Sequence, residues 1–122
     1  MNSPSPNWPQ VMVVEDDKMI SMTLEIALES KQYRVLGPVA TLAEAHELLD
    51  ASNPDFALID YRLAAATTES LLASLNARHV PTCVLTGMHP DELPAIYSDC
   101  TVLQKPFRLN ALLDALKQVR PG

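Results

Sequence analysis

The run Phe56-Ala57-Leu58-Ile59 constrains this chain more than any other stretch. Its apolar residues follow Asn53-Pro54-Asp55 and lead straight into the carboxylate of Asp60. The run is too short for a helix and a turn signal bounds it, so it reads as a strand buried on both faces. Strands of that kind sit in the middle of parallel sheets covered by helices, and such sheets bind ligands just past the carboxyl ends of their strands. Asp60 therefore stands where chemistry is expected. A second run of the same type, Val11-Met12-Val13-Val14, ends in Glu15-Asp16-Asp17. If the two strands are neighbours, several carboxylates share one pocket, and protons, a cationic side chain or a metal ion must offset their repulsion. An all-oxygen donor set favours a hard divalent cation, Mg²⁺ ahead of Zn²⁺.

A chain of 122 residues fits one domain, and a domain of that size buries roughly two-thirds of its unfolded surface without disulfide or metal staples. Cys83 and Cys100 form no CxxC pair, and no basic N-terminal stretch leads into a long apolar run, so a reducing cytoplasm is the expected location. No apolar run approaches the length of a membrane span, and a net charge of -6 argues against nonspecific binding to nucleic acid or anionic lipid. Protein partners or small ligands remain.

Residues 1–10, with three prolines and no periodicity, read as a flexible leader. Helical spacing over 18–31 places Ile20, Leu24, Ala27 and Leu28 inward. Tyr33-Arg34-Val35-Leu36 is expected to be a short strand stopped by Gly37-Pro38. Thr41-Leu42-Ala43-Glu44 has capping-box spacing and opens a helix to about residue 51, with Leu42, Ala45, Leu48 and Leu49 buried. Residues 61–67 read as a loop and 68–77 as a helix with Leu71, Leu72 and Leu75 inward. Thr82-Cys83-Val84-Leu85 is a strand ending at Thr86-Gly87. Pro90 and Pro94 keep a long helix from running through residues 88–100, and residues 88–98 are expected to form at most one or two helical turns. Thr101-Val102-Leu103-Gln104 is a last strand ending at Lys105-Pro106, and Leu109, Leu112, Leu113, Leu116 and Val119 mark an amphipathic C-terminal helix. Met12, Met19, Met22 and Cys83 read as core fillers. His46, His79 and His89 share no spacing and read as surface residues.

Strands alternating with helices give an α/β fold, a doubly wound five-stranded parallel sheet flanked by helices, with the fourth helix reduced and one domain over residues 11–120. Four of the strands end in reactive polar residues: Glu15-Asp16, Asp60, Thr86 and Lys105.

On Val13-Val14-Glu15-Asp16, Leu58-Ile59-Asp60, Leu85-Thr86-Gly87 and Leu103-Gln104-Lys105-Pro106-Phe107, the chain resembles the receiver domain of bacterial two-component response regulators. The resemblance covers nearly all of residues 10–119 and implies a flavodoxin-like fold. By position it implies Asp60 as phosphoacceptor, Glu15 and Asp16 as the acidic pair for Mg²⁺, Thr86 as switch hydroxyl and Lys105 as conserved cation. Asp60 and the backbone carbonyl of Arg62 would complete the metal ligands, and the Lys105-Pro106 bond would be cis. The implied partners are a sensor histidine kinase or histidine phosphotransferase and a downstream protein, with no nucleic acid and no membrane. Such a protein is no enzyme in the ordinary sense, since it catalyses only its own phosphorylation and dephosphorylation.

The loop Tyr61-Arg62-Leu63-Ala64-Ala65-Ala66 lacks the proline and glycine common after the family's phosphoacceptor, and Val102 replaces the usual aromatic of the last strand. The short, proline-rich segment before Lys105 is similar to that of alphaproteobacterial single-domain receivers with a Phe-Ala-Thr-Gly type motif. The alternative is a phosphorylation-independent pseudo-receiver. A haloacid-dehalogenase-like hydrolase needs a second aspartate where Arg62 stands, and Gly37, Gly87 and Gly122 form no phosphate loop.

Overall fold

The structure is a computed structural model and describes residues 7–119. The leader expected over 1–10 lies mostly outside that range. Its described end is tied down, because the Pro9 carbonyl accepts from Arg34 N at 2.8 Å and Gln10 N donates to the Asp55 carboxylate at 2.7 Å.

Five strands, β1 (Gln10–Val14), β2 (Arg34–Val39), β3 (Phe56–Asp60), β6 (Thr82–Thr86) and β7 (Thr101–Gln104), pair in parallel in the order β2-β1-β3-β6-β7. A small antiparallel ribbon, β4 (Arg62–Leu63) and β5 (Ala66–Thr67), follows β3. The helices are α1 (Lys18–Ser30), α2 (Leu42–Ala51), α3 (Glu69–Ala77) and α4 (Leu109–Val119). The central strands are apolar throughout because alternate residues feed two cores. Val11, Val13, Phe56, Leu58, Cys83 and Leu85 pack with α1 and α4. Met12, Val14, Ala57, Ile59 and Val84 pack with α2, α3 and Tyr97. This is the doubly wound flavodoxin-like architecture, and its strand order reverses between β1 and β3, where such folds place ligands.

Helix starts follow local chemistry. Asp17 accepts from Ile20 N at the start of α1, and Thr41 accepts from Glu44 N at the start of α2. Between β6 and β7 the chain makes only two 3₁₀ turns, Pro90–Glu92 and Ala95–Tyr97, so the fourth helix of the expected pattern is reduced to these turns.

Several sequence expectations change. β2 does not stop at Gly37-Pro38. It runs on to Val39 with an irregularity in its pairing, Met12 facing Leu36 but Val14 facing Val39. As an edge strand it tolerates a proline without N–H, and Gly37 absorbs the extra residue at φ 92°, next to the cis Gly37-Pro38 peptide bond; Lys105-Pro106 is also cis. Residues 61–67 are the β4–β5 ribbon and not an irregular loop, with Ala64 at φ 53° in its turn. Met19 and Met22 are 80% and 59% exposed, contrary to their reading as core fillers. The inward stripe of α1 is complete with Ile20, Leu24, Ala27 and Leu28, which turns Met19, Met22 and Ile26 outward. Leu109, in the first turn of α4, is half exposed where an inward position was expected, and the side chain of Val119 lies outside the described residues.

A Cβ at position 37 would meet Val39 N at 2.8 Å and the Val13 carbonyl at 3.1 Å, both backbone, whereas one at Gly87 meets nothing within 4 Å. Gly37→Ala should therefore cost about 1–3 kcal/mol of stability, and Gly87→Ala should stay within about 0.5 kcal/mol of wild type. Urea unfolding midpoints measure both, and equal midpoints for the two variants would contradict the geometry.

Candidate functional site

The carboxyl ends of β1, β3, β6 and β7 converge because register sets them level: Val14 faces Ile59, Asp60 faces Leu85 and Thr86 faces Gln104. Backbone hydrogen bonds carry that register one residue further. Glu15 N donates to Val39 O at 3.0 Å, Tyr61 N to Leu85 O at 2.9 Å and Lys105 N to Thr86 O at 2.7 Å. The first of these exists because β2 continues past Gly37-Pro38.

The side chains brought together are Glu15, Asp16, Asp60, Thr86 and Lys105. Lys105 Nζ lies 2.7 Å from Glu15 Oε1 and 2.8 Å from Asp60 Oδ1. Among the described residues, those two buried oxygens have no hydrogen-bond partner beyond this ion pair. Burial, followed by the adjoining Glu15 carboxylate, pushes the Asp60 carboxyl up to about 8 against the opposing pull of Lys105. Burial works against the charge of Lys105, but its two acidic partners outweigh it and hold the ammonium above its ordinary value. One ammonium cannot offset two buried carboxylates, so Asp60 holds its proton more tightly than an ordinary carboxyl.

Asp16 is exposed, and its Oδ2 accepts from Ala64 N at 2.9 Å, so it also steadies the turn of the β4–β5 ribbon. Oxygens of Glu15, Asp16 and Asp60 lie within 4.8 Å of one another. A hard cation needs this kind of set: several carboxylate oxygens, one of them open to water. The cluster thus fits a metal ion. Arg62, whose backbone carbonyl the resemblance adds to the metal ligands, sits at the start of the ribbon, paired with Thr67, and its guanidinium lies 5.6 Å from the Tyr61 ring centroid.

Thr86 is buried, and its Oγ1 accepts from Met88 N at 3.0 Å, which leaves the hydroxyl hydrogen to serve another acceptor. Asp60, Tyr61, Arg62, Leu85, Thr86, Gly87, Met88 and Lys105 line a pocket of about 170 Å³, room for a small anionic group and water. Two residues at the back of this site carry no signal in the sequence. Thr68 shares a hydrogen bond with Tyr97 and lies against the carbonyls of Asp60 and Tyr61. No local pattern announces such contacts, since a threonine before a helical run reads as a cap.

Residues 11–117 match the response regulator receiver domain family. The chain is 25% identical over 112 residues to the transcriptional regulatory protein PdtaR of Mycobacterium tuberculosis, covering 88% of this chain and 55% of that protein. It is 33% identical over 118 residues to the positive alginate biosynthesis regulatory protein of Pseudomonas aeruginosa, covering 92% of this chain and 48% of that one. The chain thus spans about half the length of these curated relatives. Among solved structures it is similar to SdrG from Sphingomonas melonis Fr1, with 31% identity, a TM-score of 0.81, and coverage of 92% of this chain and 96% of that one. With the sheet order, the strand-end cluster and the match over residues 11–117 in agreement, the chain belongs to the response regulator receiver domain family of two-component systems.

Proposed function

We propose that this receiver accepts a phosphoryl group on Asp60 from the phosphohistidine of a sensor histidine kinase or a histidine phosphotransferase. The observation that carries this reading is the Lys105 ammonium held at 2.7 and 2.8 Å between Glu15 and Asp60, beside the Thr86 hydroxyl in a small open pocket. An Asp60 oxygen attacks phosphorus, the P–N bond to the donor imidazole breaks, and that nitrogen keeps the electron pair. Lys105 stays beside the reacting carboxylate and stabilises negative charge on the phosphoryl oxygens, and Thr86 donates its hydroxyl hydrogen to one of them. Glu15, Asp16, Asp60 and the Arg62 carbonyl are the residues that would hold Mg²⁺. When bound, the ion supplies positive charge against the phosphoryl oxygens and keeps Asp60 ionised.

The chemistry is confined to the protein's own aspartate, so the chain acts as a phosphorylated switch or relay and not as an enzyme with external turnover. The proposed location is the cytoplasm. Among the described residues no helix is long and apolar enough to cross a membrane. A protein partner has an obvious approach: Met19, Ile20 and Thr23 of α1 join Lys105, Pro106 and Phe107 in an apolar groove of about 380 Å³ adjoining the site. Met22 and Ile26 extend the exposed apolar surface of α1. A phosphorylation-independent module is the alternative, and the Lys105 ion pair, which ties Glu15 and Asp60 together through a protein side chain, is the feature in its favour.

Incubation with acetyl phosphate and Mg²⁺ should add one phosphoryl group at Asp60. Asp60→Asn or a chelator should abolish the addition, and Lys105→Met should slow it by about two orders of magnitude. Mass mapping of the acyl phosphate reads all three, and label that survives Asp60→Asn would overturn the assignment.

The raised Asp60 carboxyl fixes a pH dependence. The folded state holds its proton from the ordinary 3.8 up to about 8, while the unfolded state has already released it. The group's contribution to stability is therefore largest at the acidic end and declines as pH rises through that window. Chelated wild type should lose stability relative to Asp60→Asn between about pH 5 and pH 8, and Mg²⁺, by favouring the carboxylate, should flatten the difference. Urea midpoints of the two proteins across that range test this, and parallel profiles in chelator would refute it.

A further inference from the structure

Behind the Asp60 carboxylate, the main chain of β3's end is held by a side chain that the phosphoryl chemistry leaves unused. Thr68 is fully buried, with Oγ1 2.7 Å from the Asp60 carbonyl oxygen, 3.1 Å from the Tyr61 carbonyl oxygen and 2.9 Å from the Tyr97 hydroxyl. A threonine hydroxyl has one hydrogen, and carbonyls only accept. The Tyr61 carbonyl already takes Thr68 N–H at 3.1 Å, so the hydroxyl hydrogen goes to Asp60, the nearer oxygen. Tyr97 must then be the donor in its bond to Thr68. The bonds run in one direction, from the Tyr97 hydroxyl through Thr68 to the backbone of Asp60.

Both ends are committed to this arrangement. Thr68 occupies the N-cap position of α3 yet makes no side-chain cap bond, although a threonine there ordinarily bonds its own helix. Tyr97 is the buried residue of the second 3₁₀ turn, and its ring meets that of Tyr61 edge-on, centroids 5.3 Å apart at 86°. Burial, more than any neighbour, pushes its phenol up to about 12, so it remains a donor at neutral pH. A hydrogen-bonded series inside a core is costly to break at any one link, so a shift at one end is felt at the other.

We propose that Thr68 and Tyr97 are positioning residues that fix the main chain of Asp60 and Tyr61 and convey the occupancy of the Asp60 carboxylate to residues 93–100. The inference rests on Asp60 being the phosphoacceptor. When the carboxylate gains a phosphoryl group and Thr86 and Lys105 close on it, the end of β3 readjusts. The Thr68 hydroxyl follows the Asp60 carbonyl, and Tyr97 follows Thr68. Residues 93–100 contain a single 3₁₀ turn with Tyr97 as its buried anchor, so the displacement is not absorbed by a long helix.

Beryllofluoride with Mg²⁺ serves as a phosphoryl mimic, its binding followed by ¹⁹F NMR and the response by amide hydrogen exchange over residues 93–100. Wild type should bind the mimic and change its exchange there. Thr68→Val and Tyr97→Phe, which remove only the hydroxyls, should still bind it but lose the change, and Thr68→Ser should restore it. A wild-type response in Tyr97→Phe overturns the proposal even where Thr68→Val does not fold, and so does a Thr68→Ser protein that binds the mimic without responding. Wild type that shows no bound ¹⁹F signal is a separate result, which defeats the phosphoacceptor reading and the relay with it.

Discussion

One ammonium set against two buried acids is the interaction on which the site depends. Glu15 ends β1's run, Asp60 ends β3, and Lys105 follows β7, so the contacts at 2.7 and 2.8 Å join three strands that are distant in sequence. Removing one partner from a buried ion pair costs about 3–5 kcal/mol, because the remaining charge is stranded. The pairings β1–β3, β3–β6 and β6–β7 must therefore all be correct for the acids to be tolerated. The compensation is also incomplete. Burial first, and the adjoining Glu15 carboxylate second, raise the Asp60 carboxyl against the pull of the single cation. Burial of two acids beside one cation is costly, and a cation placed among the oxygens of Glu15, Asp16 and Asp60 would offset that cost.

Much of this was legible in the sequence because central parallel strands have a simple signature. Val11-Met12-Val13-Val14 and Phe56-Ala57-Leu58-Ile59 are buried on both faces, and a short apolar run that ends in an acid fits little besides the tip of a central strand. The Thr41 cap and the Leu71, Leu72 and Leu75 stripe were equally readable, since local geometry decides them. Gly37-Pro38 misled because those residues usually end a strand, and only the edge position and the Val39–Glu15 hydrogen bond make continuation favourable. Met19 and Met22 misled because hydrophobicity alone does not say on which side of a helix the core lies; Leu24 and Leu28 settle it. The roles of Thr68 and Tyr97 left no trace in periodicity, as hydrogen bonds across 29 residues between side chains have none.

The β4–β5 ribbon shows how the chain manages without the proline and glycine its family commonly carries after the aspartate. Ala64 takes the left-handed turn position at φ 53°, which costs a non-glycine residue about 1 kcal/mol or more. Its amide is held by the Asp16 carboxylate, a charge-assisted bond that offsets such strain. Asp16 thereby has two claims on it, the turn and any cation shared with Glu15 and Asp60, and the site and the ribbon are mechanically joined through one side chain.

Reduction of the segment between β6 and β7 follows from composition. Pro90 and Pro94 each remove an amide donor and disfavour helix in the residue before them. A full helix there would bury a stripe of its own against the sheet. The two 3₁₀ turns supply only Tyr97 as a fully inserted side chain, with Met88, Leu93 and Cys100 partly packed against the core. A segment anchored by so few contacts has little local stability, and elements that move in switching are drawn from that end of the range. Tyr97 combines the deepest apolar contact of the segment with its polar tie to the end of β3. The packing that holds the segment in place is therefore inseparable from the backbone that carries Asp60, and what a long helix would otherwise do by mass is left to one buried ring and its hydroxyl.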